Sequence, residues 1–107
     1  MAAEFYIVFD EPSWYERNQG AVKTFIRSLG TFRKEIDANE YWLRGDEPGG
    51  NWTYGVRIFT RPRDILVEIS SHPASIVNDL RELNRLISEH AKIKVVDDDG
   101  ERVDDYE

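Results

Sequence analysis

Two histidines, a run of aspartates and a scatter of tryptophans and tyrosines are the residues of this 107-residue chain whose types could do chemistry. His72 and His90 fall at the two ends of one predicted helix, about 27 Å apart at a rise of 1.5 Å per residue, too far to share a metal ion. His72 follows Ser70 and Ser71, but adjacency in sequence does not make a nucleophile and its base. Each histidine has a structural use: His72 at a helix start, and His90 in a last turn, where the helix dipole favours a cation. Asp97-Asp98-Asp99-Gly100 invites a calcium-loop reading and fails it on register. With Asp97, Asp99 and Gly100 at loop positions three, five and six, Tyr106 stands where a bidentate glutamate is required. Gly45, Gly49 and Gly50 lack the lysine and hydroxyl residue of a phosphate loop. There is no cysteine, hence no disulfide and no thiolate. The other carboxylates offer no acid and base pair. These residues predict no enzyme, no metal and no cofactor.

Binding is the remaining chemistry. Trp14, Tyr15, Tyr41, Trp42, Trp52 and Tyr54 cluster near loops and predicted strand ends. Core and edge packing accounts for most of them. Trp42 is the exception, because alternation points it away from Tyr41 and Leu43, with Arg44, Asp46 and Glu47 close behind. Trp and Tyr supply the large rigid contacts that dominate protein interfaces. Charge adds a second candidate. The net charge is −7, yet residues 97–107 hold seven acids and one arginine, which leaves the remainder nearly neutral. Asp97, Asp98, Asp99, Glu101, Asp104 and Asp105 therefore read as an acidic tail suited to steering a basic partner. Together with Trp42, Asp46 and Glu47 they are the expected partner-binding residues. Residues 52–59 match the RNA-recognition strand pattern at Tyr54, Gly55 and Phe59, but not at Trp52, Thr53, Val56 and Arg57. Arg57, Arg61 and Arg63 could touch phosphate, but an acidic chain opposes nucleic-acid binding.

The elements that must position these residues are legible from periodicity. Residues 52–71 read as a hairpin, with Trp52, Tyr54, Val56 and Ile58 on one face and Ile65, Val67 and Ile69 on one face of the second strand. Thr60 to Asp64, containing Pro62, makes the turn. Residues 4–10 are a strand, apolar on both faces and hence central. Ser13 and Glu16 have capping-box spacing, and Val22, Phe25, Ile26 and Leu29 recur at helical spacing. That helix begins at Ser13 or near Asn18, and Gly30 suits the left-handed position past its end. Residues 31–37 read as an edge strand and residues 40–44 as a short strand. Residues 45–51 are a loop; within it and just beyond, Asn51-Trp52-Thr53 matches a glycosylation pattern and is read as coincidence. Pro73 opens a helix with Ser71 or His72 as cap, and Ile76, Leu80, Leu83 and Ile87 form its stripe. Residues 92–96 are the last strand.

This order predicts an α+β domain: an antiparallel or mixed sheet of about five to six strands with two helices on one face. A ferredoxin-like arrangement with an extra strand pair is the first topology. Residues 1–96 form one globular domain, followed by the acidic tail, 97–107. Residues 1–13 carry no basic, apolar leader, and no run approaches the ~20 apolar residues of a membrane span, so a cytoplasmic location is expected.

The compact, cysteine-free α+β body, the segment Tyr41-Trp42-Leu43-Arg44-Gly45-Asp46-Glu47 and the run Lys94-Val95-Val96-Asp97-Asp98-Asp99-Gly100 resemble small immunity proteins of bacterial polymorphic-toxin systems, of the contact-dependent-inhibition or Rhs kind. The resemblance implies tight binding of one cognate toxin domain, often a basic nuclease, with its active site or an exosite blocked. The near-neutral body departs from the strongly acidic inhibitors of that class and shifts the electrostatic role to the tail. An RNA-binding domain using the 52–71 hairpin and a small subunit of a larger complex are the alternatives.

Overall fold

A computed structural model describes residues 3–45, 55–70, 74–104 and 106. The elements are β1 (Ala3–Phe9), α1 (Pro12–Arg17), α2 (Gln19–Arg27), β2 (Phe32–Asp37), β3 (Glu40–Leu43), β4 (Val56–Thr60), β5 (Asp64–Ile69), α3 (Ala74–Ser88), β6 (Ile93–Asp97) and β7 (Arg102–Val103). The strands form one sheet in the order β2-β3-β4-β5-β1-β6-β7, with every neighbouring pair antiparallel. β1 lies between β5 and β6, the two strands that α3 connects. That is a split βαβ unit, and β4-β5-β1-β6 is the ferredoxin-like core. β2 and β3 are the extra pair on one edge. The seventh strand, β7, extends the other edge beyond the expected number.

One apolar cluster joins the sheet to the helices. β1 contributes Phe5, Ile7 and Phe9; β4 Val56 and Ile58; β5 Ile65, Val67 and Ile69; β3 Tyr41 and Leu43. From the helices come Tyr15, Val22, Ile26, Ile76, Leu80, Leu83 and Ile87. All helical partners meet the same sheet face, because the buried residues alternate with half-buried ones along β1, β3, β4 and β5. Burying each Ile or Leu of this layer stabilises the fold by about 1.5–3 kcal/mol before entropy is subtracted. Asp79 of α3 accepts the Thr31 backbone amide at 2.7 Å and ties α3 to the start of β2.

The first helical segment is not one helix, and it starts near both of the expected positions. It is two helices, α1 and α2, separated at Asn18, whose backbone is non-helical (φ −121°, ψ 21°). The Asn18 amide side chain donates to the Trp14 carbonyl at 2.7 Å, a local bond that competes with helix continuation. The expected capping box is not formed: the N-cap is Glu11, with no side-chain cap bond, and Pro12 occupies the first turn. Proline lacks the amide that a cap would satisfy, so the helix begins one residue before Ser13. Gly30 is not left-handed either. α2 ends with Ser28 in the right-handed region and Leu29 donating to Ile26, which tightens the final turn. β2 is an edge strand as expected, exposed after Phe32 and interrupted by two register shifts that blunt its pairing edge.

The acidic segment also differs from a solvated tail. Asp97 completes β6, and the chain reverses through Asp98, Asp99 and Gly100 into β7. Gly100 takes φ +81°, a conformation open to glycine at little cost. Tyr106 is buried, its ring edge-on to Phe5 at 5.5 Å and its hydroxyl donating to Asn84 of α3 at 2.8 Å. A composition rich in acids conceals a hairpin turn and an aromatic anchor. The proposed cap at Ser71, His72 and Pro73, the hairpin residues Trp52 and Tyr54, and the Asn51-Trp52-Thr53 pattern lie outside the described residues.

Candidate interaction face

The second face of the sheet carries no helix among the described residues. Its side chains follow from the strand registers. Glu40, Phe59, Leu66, Tyr6, Val96 and Arg102 stand opposite one another in turn, a row that crosses six strands. The next row runs Lys34, Trp42, Arg57, Glu68 and Glu4. Trp42, Phe59, Leu66, Tyr6 and Val96 are all half-buried. The first row thus holds four apolar or aromatic side chains between a glutamate and an arginine.

Three of the rings on this face lie under cations. The Lys34 ammonium is 5.9 Å from the Trp42 ring centre, the Arg57 guanidinium 5.7 Å from Phe59, and the Arg61 guanidinium 5.4 Å from Tyr6. Two of these cations are also held by acids. Arg57 pairs with Glu68, and Arg61 Nε lies 2.7 Å from Asp64. Trp42 Nε1 donates to Glu40 at 2.8 Å. The indole, phenol and guanidinium groups therefore combine apolar area with polar handles, the composition of protein interface cores. Cations and acids are close to balance on this face, so the chain's negative charge is carried elsewhere.

The structure brings only some of the expected binding residues to this face. Trp42 is on it, as alternation predicts. Asp46, Glu47 and Asp105 lie outside the described residues. Asp98, Asp99, Glu101 and Asp104 are exposed around the β6–β7 hairpin. β3 and β6 are four strand spacings apart, roughly 19 Å, so Trp42 and the acidic hairpin do not form one cluster. Asp97 is a turn builder: its Oδ1 accepts the backbone amides of Asp99 (3.0 Å) and Glu101 (2.9 Å). Asp97, Asp98 and Asp99 do gather their carboxylates within 4.8 Å, which the turn itself explains.

Tyr6, Phe59 and Leu66 are the binding candidates that sequence reasoning missed. Their signal was present in the apolar residues on both faces of β1, which read as a strand buried on two sides. His90 has a packing role, its ring nearly parallel to Trp14 (6.3 Å, 14°) and Phe25 (6.0 Å, 12°). On the core side, burial and then the Asp64 carboxylate hold the Tyr15 phenol well above its ordinary pKa. The Tyr15 hydroxyl has no hydrogen-bond partner among the described residues. Arg27, hydrogen-bonded at 2.7 Å, holds the Glu35 carboxyl below the usual range and links α2 to β2.

No protein-family profile, curated protein or solved structure matches the chain. No helix among the described residues is long and apolar enough to cross a membrane.

Proposed function

We propose that the chain is a non-enzymatic inhibitor of a partner protein, an immunity protein that occludes the active site or an exosite of a bacterial toxin domain. The observation that carries this reading is the open sheet face. A row of Phe59, Leu66, Tyr6 and Val96, flanked by Trp42, Arg57 and Arg61, is the kind of apolar surface with a polar rim that marks interaction sites. Tyr, Trp and Arg are also the residue types that dominate binding energy in interfaces. The exposed acids of the β6–β7 hairpin would raise the on-rate toward a basic toxin, an effect that falls with salt. The test is co-expression with the product of the adjacent reading frame, followed by co-purification and a toxicity assay. Binding and neutralisation are expected; a neighbour that is neither bound nor neutralised ends the reading.

A second reading is favoured by one observation. Arg57 over Phe59 and Arg61 over Tyr6 pair cations with stacking platforms, as single-stranded RNA binders do. Both arginines are already partnered by acids, and the net charge is −7. Fluorescence anisotropy with short single-stranded RNA at low salt decides it, saturable binding being required.

A further inference from the structure

The end of β1 and the start of β6 form a corner that the docking reading does not use. Asp10 donates its backbone amide to the Lys92 carbonyl at 3.0 Å and closes the ladder there. Two concavities of about 290 and 350 Å³ meet at this point, and both are lined by Asp10 and Lys92. The first continues to Glu11, Trp14 and His90 on the helical side. The second continues to Lys94 and Arg102 on the sheet side. Each volume is near the lower end of the roughly 300–1,000 Å³ typical of small-molecule sites. One depression therefore runs from a pair of parallel rings, around the strand end, to a group of cations.

Three cations gather at this corner. Lys92 and Lys94 are two residues apart, Lys94 within β6 and Lys92 just before its first residue, roughly 6–7 Å. Arg102 pairs with Val96, which puts it diagonal to Lys94 at about 7–8 Å. None of the three makes an ion pair within 4.0 Å among the described residues, although Asp10, Glu101 and Asp104 are near them in sequence or space. Arg27, Arg57, Arg61, Arg63 and Arg85, in contrast, all have acidic partners. Three cations that make no ion pair among the described residues repel one another across this concave surface, and a bound anion relieves that repulsion.

We propose that this corner binds a nucleoside phosphate, with the phosphate on Lys94, Arg102 and Lys92 and the base against the Trp14–His90 rings. Rings and cations alone would also suit an acidic peptide. Glu11 favours the nucleotide. Its carboxylate lines only the ring-end concavity, where it repels phosphate and accepts hydrogen bonds from ribose hydroxyls or an exocyclic amine, whereas Asp10 lines both concavities at their junction. The site meets the open-face row at its Arg102 end, beside Val96, and lies three strands from Phe59 at the aromatic centre of that row.

The test is a nitrogen-15 NMR titration of the full chain with AMP, adenosine, inorganic phosphate and a short polyglutamate peptide, each taken to about 10 mM, where a millimolar site saturates. AMP is expected to shift the Trp14 indole and the amides of Lys92, Lys94 and Arg102 along one saturable curve, with adenosine and phosphate each at least about ten-fold weaker. The double variant Lys94→Glu, Arg102→Glu is expected to weaken AMP by at least about ten-fold while its melting temperature stays unchanged, since both side chains are exposed. Phosphate binding as well as AMP, polyglutamate binding as well as AMP, or no saturable shift with AMP would each overturn the proposal.

Discussion

Two neighbouring rows of the same sheet have opposite fates. Tyr41, Ile58, Val67 and Phe5 face the helices and are buried. One residue along each strand, Glu40, Phe59, Leu66 and Tyr6 face away and are only partly covered. Both rows are largely apolar, so hydropathy alone does not separate them. What differs is the chemistry at the side-chain tips. The buried row ends in groups that need little solvent, and its one hydroxyl, on Tyr41, donates to the Ala38 carbonyl at 2.9 Å. The open row and its neighbour carry Arg57 over Phe59 and Arg61 over Tyr6, where aromatic area is shared with charge. A strand that is apolar on both faces can therefore have one face in the core and the other open, with no second layer among the described residues.

The sharpest way to break this comparison is truncation on each side. Leu80→Ala, in the buried layer, is expected to cost about 3–4 kcal/mol in urea unfolding. Leu66→Ala, on the open face, is expected to cost under about 1 kcal/mol, because its site is already partly solvated. Equal losses would mean that the open face is covered in the free protein.

Tyr106→Ala comes next. A buried ring on Phe5 and a hydroxyl bond to Asn84 predict a loss of about 2–3 kcal/mol, whereas a solvated tail predicts none. Tyr15→Phe runs the other way. Removing a buried hydroxyl that lacks a partner among the described residues is expected to stabilise the fold by about 1 kcal/mol at pH 7. The same residue sets an alkaline limit. Because the folded-state pKa of Tyr15 is raised, its contribution is complete below the unfolded value of about 10 and is lost as pH rises above it. Wild-type stability should decline from about pH 10 upward, and Tyr15→Phe should decline less over that range. The smallest effect belongs to the open face. Arg57 and Glu68 are 31% and 17% exposed, and a double-mutant cycle to alanine is expected to return about 0.5–1 kcal/mol of coupling, reduced by salt.

Much of this architecture is legible in the sequence. Alternation identifies β1, the β4–β5 hairpin and the direction of Trp42, and helical spacing identifies α3, because each carries a strong period on a buried face. The break at Asn18 is half legible: the sequence offers helix starts at Ser13 and near Asn18, and α2 begins just after Asn18, but that both starts are used, as two helices, is decided only by the folded geometry. β7 is concealed because seven acids in 97–107 outweigh the turn signal of Asp99-Gly100 and the single ring of Tyr106. The open face is half legible. Trp42 could be placed on it from its own strand, but its neighbours Phe59, Leu66 and Tyr6 come from three other strands. Their meeting depends on a strand order that local sequence does not encode.

The direct measurement is the dissociation constant for the product of the adjacent reading frame, compared between the wild-type chain, Phe59→Glu, and a variant with Asp98, Asp99 and Glu101 changed to their amides. Docking through the open face predicts that Phe59→Glu weakens binding by about 100-fold or more, through a slower on-rate or faster off-rate, with melting unchanged. The amide variant should lose only its salt-dependent part of the on-rate. Wild-type affinity in Phe59→Glu, with binding lost in the hairpin variant, would contradict the open face as the docking surface.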